Sequence, residues 1–428
     1  MSEPDQHSPI YDRVFAVAYV ANLTCVTVNA ATFRFAELVD FLGGTEKTAG
    51  VIVAVGGLVA FAGRFLLGPA FDRFGVGRVW RVMTVSMLLG AAGFWLVRSL
   101  GWPLYTARTL FAVGLAGGFT AANLFVQTRA PAGRGTEAIG TLGTSGFIGL
   151  IIGTQIGDRF FFDPADGFSY DVIFGLTTLL AAANTAAVFW VTRDVRHRRP
   201  EENPPLHRLM LRHQPLGPTA VALVMGGVFC VTQVFLTRFA TSLGIADIGM
   251  FFAGYAVSAF SFRLLTRKWS QRIGRHRMLV IGLTGYVVGF ATLTTATAEW
   301  QFVFPAVCIG FGHALLFPSV VSLISEAYPP AYRGSGTNAA LGCMEFGTLA
   351  SAPLFGAAID SLAAGYAVVF LGLVATSAVV LVTYGSRAWR AHDPESEVAV
   401  RAVRRPADTD ADDEVFSDLP AVAEPVGR

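Results

Sequence analysis

Three ionisable side chains stand inside long apolar stretches, where solubility cannot explain them. They are Glu345 in LGCMEFGTL, His313 in IGFGHALLFP and Arg108 in YTARTLFAV. An ionisable group at membrane depth costs roughly 2.5 to 3.5 kcal/mol on insertion scales, so each needs a reason. Glu345 is a candidate proton carrier if it faces a cavity, because desolvation favours its neutral form; otherwise it is a carboxylate paired near its helix end. His313 is a proton relay, a substrate hydrogen-bond donor or a core histidine.

Polar residues inside the same stretches are candidates for binding. Asn22 and Asn29 are seven positions apart, so they share one helix face. That face either lines a cavity or hydrogen-bonds to a neighbouring helix. Arg34 either captures an anion or is neutralised by Glu37 and Asp40, which follow closely. The substrate-cavity candidates are Asn22, Asn29, Arg34, Asn123, Gln155, Gln233 and His313.

The bulk composition indicates which elements hold these residues. The chain has 428 residues, of which 53% are hydrophobic and 14% charged, whereas soluble domains are roughly 25% charged. A bilayer core of about 30 Å needs about 20 apolar residues per helix, and a β-barrel would need short alternating strands instead. Twelve apolar runs of this kind can be counted: 12–33, 48–67, 82–99, 103–128, 137–160, 170–192, 217–238, 246–266, 278–297, 301–326, 336–360 and 363–385. The sequence therefore predicts an all-α integral membrane protein with twelve transmembrane helices.

Several function classes are disfavoured by what the sequence contains. The four cysteines lie in apolar runs without a CxxC pair or neighbouring histidines, which is typical of buried hydrophobic residues. Neither HExxH nor G-x-x-x-x-G-K-[ST] occurs. A net charge of +2 is too small to suggest a nucleic-acid partner. We expect no enzyme activity, no cofactor and no metal site.

The two halves of the chain resemble an internal repeat. The segment 63–78 (GRFLLGPAFDRFGVGR) recurs 199 positions downstream as 262–277 (FRLLTRKWSQRIGRHR). At this offset Arg64 falls on Arg263 and Gly75 on Gly274. We expect each segment to be a charged break between two helices. Parallel repeats in an apolar chain are typical of secondary transporters, whose substrate site lies between the halves. The sequence thus predicts two pseudo-symmetric six-helix bundles.

The arginines predict the orientation. They concentrate in the connections that follow the even-numbered helices, which places both termini in the cytoplasm and the protein in the plasma membrane. Clustered arginines and prolines mark a linker in the middle of the chain, and the polar end is expected to be disordered. The predicted units are an N-terminal bundle (1–192), a basic cytoplasmic linker (193–217), a C-terminal bundle (218–385) and a disordered cytoplasmic tail (386–428).

Segment 63–78 also carries a family resemblance. It is similar to the pattern G-x-x-x-D-R-x-G-R-R between the second and third helices of the major facilitator superfamily, with Gly77 in place of the first closing arginine. Together with twelve helices and the repeat, the chain resembles that superfamily over nearly its whole length. The resemblance implies that the segment locks the halves together on the cytoplasmic side; a role in topology alone is the alternative. The implied gating residues are Gly68, Asp72, Arg73, Gly75, Arg78, Arg272, Gly274 and Arg277.

Parts of the chain depart from the superfamily pattern. In the second copy Gln271 stands at the position of the acid, so we expect that latch to be weaker or differently partnered. Arg108 resembles the arginine of the superfamily's fourth helix, which implies a part in proton coupling; extension to the membrane surface is the alternative. The fifth run has five glycines on one face, similar to a motif of drug and proton antiporters, but Thr154 replaces the motif's proline.

These features predict a secondary active transporter that moves a small organic solute by alternating access. Proton-coupled export is the leading prediction. Proton-coupled uptake of a sugar or an organic acid is the first alternative, and a membrane sensor or scaffold that does not transport is the second. The expected partners are a small-molecule substrate, protons and lipid, and we expect a monomer. The proton-coupling candidates are Glu345, His313 and Arg108.

Overall fold

A computed structural model describes residues 10–160, 167–197, 199–202, 204–245, 248–362, 365–388, 393, 395 and 396. Within these ranges all regular secondary structure is helical. Twelve long helices, numbered α1 to α12, account for most of it. They are Arg13–Phe41, Glu46–Phe74, Val76–Leu96, Trp102–Arg129, Gly135–Phe160, Gly167–Val191, Leu216–Ser242, Gly249–Leu265, Arg275–Leu293, Glu299–Ala327, Arg333–Ser361 and Gly365–Ala388.

The helices match the twelve predicted runs. Ten of those in the described ranges are long and apolar enough to cross a bilayer, and α8 is a shorter apolar helix of 17 residues. Helix α11 has 29 residues, and its first turns are polar because they carry Ser335, Thr337 and Asn338. The prediction of an all-α membrane protein is confirmed.

The same helix pairs pack together in both halves. In the first half α1 packs on α5, α2 and α3 on α4, and α3 on α6; in the second half α7 packs on α11, α8 and α9 on α10, and α9 on α12. The turns between equivalent helices also match, because Gly75 and Gly274 have φ angles of +85° and +84°, a region that favours glycine. The predicted pair of six-helix bundles is therefore confirmed.

The charged segments are helical for most of their length, which corrects the expected break. Helix α2 continues through Asp72 to Phe74, and only Gly75 separates it from α3. The apolar pattern ends earlier than the helix because the last turns of α2 pack against polar groups of α11. In the second copy α8 ends at Leu265, and a separate short helix, Trp269–Ile273, precedes Gly274.

The bundles are linked on one side of the membrane. The ends of α2 and α8, the connection between α6 and α7, and both described chain ends lie on this side, which we call the basic face. Hydrogen bonds that join α1–α6 to α7–α12 include those of Asp72 with Ser335 and of Arg64 with Asn338, which lie in the half of the molecule nearer this face. The linker contains an amphipathic helix that the sequence did not predict, Leu206–His213, with Leu206 and Leu209 buried.

Candidate functional site

The first contact between the bundles is made by Asp72. This buried carboxylate on α2 accepts hydrogen bonds from the backbone N–H of Ser335, 3.2 Å from each oxygen, and from the Ser335 hydroxyl. Ser335 lies in the first turn of α11, where unpaired N–H groups and the helix dipole favour an anion. Close approach is possible because Gly68 and Gly334 have no side chains; a Cβ on Gly334 would lie 2.6 Å from an Asp72 oxygen. Asp72 therefore bridges the two bundles.

Three of the predicted latch arginines, Arg73, Arg78 and Arg272, are exposed. The guanidinium of Arg73 lies over the ring of its neighbour Phe74, and Arg272 lies in the short helix before Gly274. These arginines lie on helix ends that face solvent, so charge attraction alone does not place them between the bundles. Arg277 is half-buried and has a partner.

A different set of contacts occupies the equivalent place in the second half. Gln271, which stands where Asp72 would fall, donates a 2.9 Å hydrogen bond to Glu137 on α5. Glu137 also accepts from Arg134 and from the Tyr11 hydroxyl. The residue at this position of the repeat thus accepts a hydrogen bond in the first half, at Asp72, and donates one in the second half, at Gln271. In both contacts the acid belongs to the first half.

The first turn of α5 has an acidic partner from the end of the chain. The Thr136 N–H donates a 3.0 Å hydrogen bond to Glu395, and Thr136 is the equivalent of Ser335 at the 199-residue offset. Glu395 therefore occupies the place that Asp72 holds in the first half. This part of the predicted disordered tail lies among the described residues and is buried. The rest of the tail lies outside them.

Arg275 anchors this end of the chain. Its side chain is 2% exposed and pairs with Asp393 at 2.7 Å and Glu326 at 2.6 Å, with Glu395 at 3.8 Å. The Arg275 backbone N–H also donates to Asp393. Burial acts to raise the pKa of Asp393, but the hydrogen bonds and charge of Arg275 outweigh it and lower that pKa. Three acids around one arginine hold the segment after α12 against α9 and α10.

Deeper in the molecule, Glu345 forms an ion pair across the bundles. Its carboxylate on α11 accepts a hydrogen bond from Arg64 on α2, whose guanidinium also reaches Thr120 and Asn338. Asn338 in turn donates to the Arg64 backbone carbonyl at 2.7 Å. The side chain of Glu345 is 29% exposed, whereas that of Arg64 is 10% exposed. Glu345 is thus paired with an arginine of the other bundle while part of its side chain remains exposed. Its part in proton coupling stays a prediction.

Aromatic rings surround the second buried arginine of the repeat. Arg263 on α8 is 5% exposed, and its guanidinium lies over Phe147 and Phe317, at 5.0 and 5.2 Å from the ring centroids. His313 packs between the same two rings and Phe229. Further ring contacts join the bundles, such as Phe61 with Phe346 at 6.2 Å. The space between the bundles is therefore lined largely by aromatic groups, with polar groups at a few points.

The remaining cavity candidates are scattered. Asn22 is buried and donates to Ser145 on α5, so it joins helices of one bundle, as its second alternative predicted. Asn123 is buried and donates to a carbonyl of its own helix. Asn29 is half-buried, whereas Gln155 and Gln233 are exposed. Their part in a substrate cavity stays a prediction.

Two predicted arginines lie near the opposite face. Arg34 pairs with Glu37 at 3.1 Å, as the neutralising alternative expected. The guanidinium of Arg108 lies over Phe35 and Phe111, at 5.1 and 5.8 Å from their centroids. These contacts of both arginines lie within the first bundle.

The glycine stripe of α5 has a packing role. Cβ atoms on Gly149 and Gly153 would lie 2.5 and 2.4 Å from backbone carbonyl oxygens of α1. Helices α1 and α5 therefore touch through their backbones, as small-residue packing in membranes requires. In the described part of the chain no group of three His, Cys, Asp or Glu side chains could hold a metal ion.

The comparisons with known proteins give this architecture a family. The family model of the Major Facilitator Superfamily matches residues 15–246 and again 219–409. The chain belongs to the Major Facilitator Superfamily. The double match corresponds to the two bundles, and the predicted resemblance is confirmed.

Its curated relatives in the superfamily include drug exporters. The multidrug resistance protein MdtG of Serratia proteamaculans is 26% identical over 372 residues, covering 82% of this chain and 89% of the relative. The efflux pump PmrA of Streptococcus pneumoniae is 23% identical over 342 residues, or 74% and 81% of the two chains. A PmrA homolog of Lactococcus lactis is 24% identical over 274 residues, and the match spans 64% of that relative.

Solved facilitator structures share the fold. A bacterial homologue of the iron transporter ferroportin, in an outward-facing state, has a TM-score of 0.73 at 14% identity and covers 88% of this chain and all of the other. FucP in its outward conformation has a TM-score of 0.68 at 16% identity, covering 89% and 99%. At such identities the likeness concerns the fold.

Sequence reasoning missed three interacting residues of this facilitator. Arg263, Arg275 and Glu395 were counted only as part of the repeat, of the basic charge or of the tail. The repeat held one usable signal, since Arg263 matches Arg64 in a second apolar stretch. Nothing local in the sequence indicates that Glu395 contacts Thr136, 259 positions away.

Proposed function

We propose that this facilitator exports small, partly apolar organic compounds in exchange for protons, by alternating access. Its membership in a family of secondary transporters and its likeness to multidrug exporters support this proposal. The observation that carries it is the ion pair between Arg64 and Glu345, a titratable contact that joins the two bundles and borders the space between them. The aromatic lining of that space suits an apolar substrate.

The proposal takes the basic face to be cytoplasmic, because the excess of arginine lies there. With the bundles joined at this face, the space between them is open towards the outside. Asp72, bound to the first turn of α11, and Glu395, bound to the first turn of α5, then act as two latches that hold the cytoplasmic side closed. Arg73, Arg78 and Arg272 serve the orientation of the chain in the membrane.

Protonation of Glu345 is the step that changes the contact between the bundles. When its carboxylate takes a proton from the outside, Arg64 loses its anionic partner and retains only the neutral acceptors Thr120 and Asn338. A charge-assisted hydrogen bond is roughly twice as strong as a neutral one, so contact between the bundles weakens. The cytoplasmic side then opens, the proton leaves on that side, and substrate enters before the ion pair re-forms.

A flux measurement tests this cycle. Purified protein in proteoliposomes should move a hydrophobic dye only when a pH gradient is imposed. Glu345→Gln keeps the shape of the side chain but cannot bind and release the proton, so gradient-driven flux should fall at least tenfold. Glu299→Gln, at an exposed acid near the opposite face, is the matched control. Gradient-driven flux that persists in Glu345→Gln would falsify this role of the carboxylate.

A further inference from the structure

Arg263 is a buried cation that has no anionic partner among the described residues. Its Nε atom is fully buried without a hydrogen-bond acceptor, and its guanidinium lies over two aromatic rings instead. A guanidinium remains charged at all accessible pH values, so it cannot escape the cost of burial by losing a proton. Its two cation–π contacts offset only part of that cost. A ligand with a negative charge would offset the rest of that cost.

Comparison with the equivalent arginine of the first half indicates which kind of group Arg263 would bind. Arg64 and Arg263 are equivalent, and each lies against a glycine of the opposite bundle, Gly342 on α11 and Gly143 on α5. Arg64 finds its acid three residues further along α11, at Glu345. The equivalent position on α5 is Gly146, which has no side chain to offer. The first arginine is neutralised by the protein and the second is not.

The surroundings of Arg263 contain further polar groups without partners. The Nδ1 atom of His313 is buried and makes no hydrogen bond with any described residue. The ring of Tyr255 lies 6.0 Å from that of His313, and its hydroxyl makes no hydrogen bond with another described residue. Phe147 and Phe317 close the site on two sides. Hydrogen-bonding atoms and rings thus converge at one point between α5, α8 and α10.

We propose that Arg263 binds the carboxylate of the transported compound, which carries an aromatic or other apolar body. The inference rests on the proposed function, because it takes the space between the bundles as the substrate site. The planar guanidinium fork matches the two oxygens of a carboxylate. A single positive charge balances one carboxylate and would leave a doubly charged phosphate in excess. His313 offers a second polar contact, and the rings of Phe147 and Phe317 accept the apolar body.

Binding to the purified full-length protein in detergent tests the inference without requiring transport. The probes are benzoate, phenylacetate and 1-naphthoate, each compared with its neutral amide by thermal shift and calorimetry. At least one acid should bind, and its amide should bind at least tenfold more weakly, because charge-assisted hydrogen bonds are lost. Arg263→Gln should remove this preference for the acid. Arg263→Lys should restore part of it, and Arg238→Gln, at an exposed arginine of α7, should leave it unchanged.

A second variant keeps the charge and moves it. A Cβ on Gly143 would lie 1.8 Å from a terminal nitrogen of Arg263, so Gly143→Ala displaces the guanidinium while the protein keeps its net charge. Acid binding should weaken about tenfold. This variant decides the question if Arg263→Gln does not fold.

The inference is overturned if no acid binds better than its amide, or if Arg263→Gln binds the acid as tightly as the unchanged protein. It is also overturned if Gly143→Ala leaves the affinity unaltered. Its failure is distinct from that of the proposed function. Carboxylate binding without gradient-driven flux would contradict transport alone, and gradient-driven dye flux in a protein that binds no acid better than its amide would contradict the carboxylate site alone.

Discussion

The two halves of the molecule carry arginines at equivalent positions, but the acidic groups around them differ. In the first half Arg64 meets Glu345 and Asp72 meets the first turn of α11. In the second half Arg263 meets aromatic rings, and the first turn of α5 meets Glu395 from beyond the last helix. The positions of arginines, glycine turns and helix ends follow the repeat, but the acids do not. The acids therefore show where the halves have acquired separate tasks.

At position 275 it is the second half that carries an additional buried charge with acidic partners. Arg275 corresponds to Val76, so the second half has gained a buried cation together with the acids that neutralise it, Asp393, Glu395 and Glu326. In the first half, Asp72 on α2 contacts the first turn of α11. In the second half, the segment after α12 makes the equivalent contact with α5. The following changes test these differences, from the largest expected effect to the smallest.

Removing the acids of the tail should have the largest effect. The double change Asp393→Asn with Glu395→Gln leaves Arg275 with Glu326 alone. Stability should fall by on the order of 3 kcal/mol, because a buried charge loses its partners. Thermal unfolding in detergent measures the loss, and Glu201→Gln, at an exposed acid of the linker, is the control.

Adding Arg275→Val to that double change should recover part of the stability. The valine recreates the first half's residue at this position and removes the stranded charge. A triple variant less stable than the double variant would contradict the view that Arg275 and the tail acids form one unit.

Supplying an acid at Gly146 should make the second half resemble the first. A Cβ at this position meets only Val26, at 3.9 Å, so a side chain fits. Gly146→Glu should pair with Arg263 and compete with a bound carboxylate, lowering benzoate affinity about tenfold or more. Gly146→Gln is the matched control, since it has the same shape without the charge. Equal affinities in the two variants would show that Arg263 does not hold the carboxylate.

Neutralising Asp72 should loosen the first latch. Asp72→Asn keeps the hydrogen-bond acceptor but removes the negative charge at the first turn of α11, which is worth about 0.3 to 1 kcal/mol. Opening at the basic face should rise by two- to fivefold. Labelling of a single cysteine at buried Ala339, in a background without the four natural cysteines, measures it. Asp194→Asn, an exposed acid, is the control, and equal labelling rates in both variants would refute the latch.

The docking of the second latch should depend on pH, whereas the comparison predicts no such dependence from the first latch's contacts with α11. Burial raises the pKa of Glu395 from 4.5 to about 7, although Arg275 acts to lower it; Glu326 and Asp393 act to raise it. The docked carboxyl group therefore binds a proton more tightly than a free one, and docking strengthens as pH falls from about 7 to 4.5. Asp393, whose pKa is lowered, stays ionised throughout this window and contributes no slope.

Fluorescence of a bimane probe at Ser396→Cys reports the docking of the segment. The equilibrium should change by at most about tenfold per pH unit. Glu395→Gln should remove the slope, because the amide does not titrate. A slope that survives this change would assign the pH response to another group.

Much of the fold could be predicted from the sequence because it rests on local signals. Apolar length gives the helices, and the matched residues Gly75 and Gly274 give the repeat and both turns. Asp72 could be singled out because an acid among arginines has no role in topology. Arg73 and Arg78, by contrast, are exposed. The local sequence does not distinguish such an arginine from one that contacts the other bundle.

The rest of the site depends on which residues meet across the bundles. Arg263 and Arg275 have the same residue type and similar surroundings in sequence, yet one meets rings and the other meets three acids. Asp393 lies 118 positions from Arg275, and no periodic pattern connects them. The composition of the tail predicts disorder because most of its residues are polar. The few residues that anchor it are too few to change that composition.

The contact between Thr136 and Glu395 has a consequence for how the protein is made. The ribosome completes α5 long before it adds residue 395, so a growing chain holds the first turn of that helix with no acid to meet it. The seam between the bundles is finished only after the last helix has entered the bilayer. Chains that stop early, even by a few dozen residues, would carry all twelve helices and still lack this fastening.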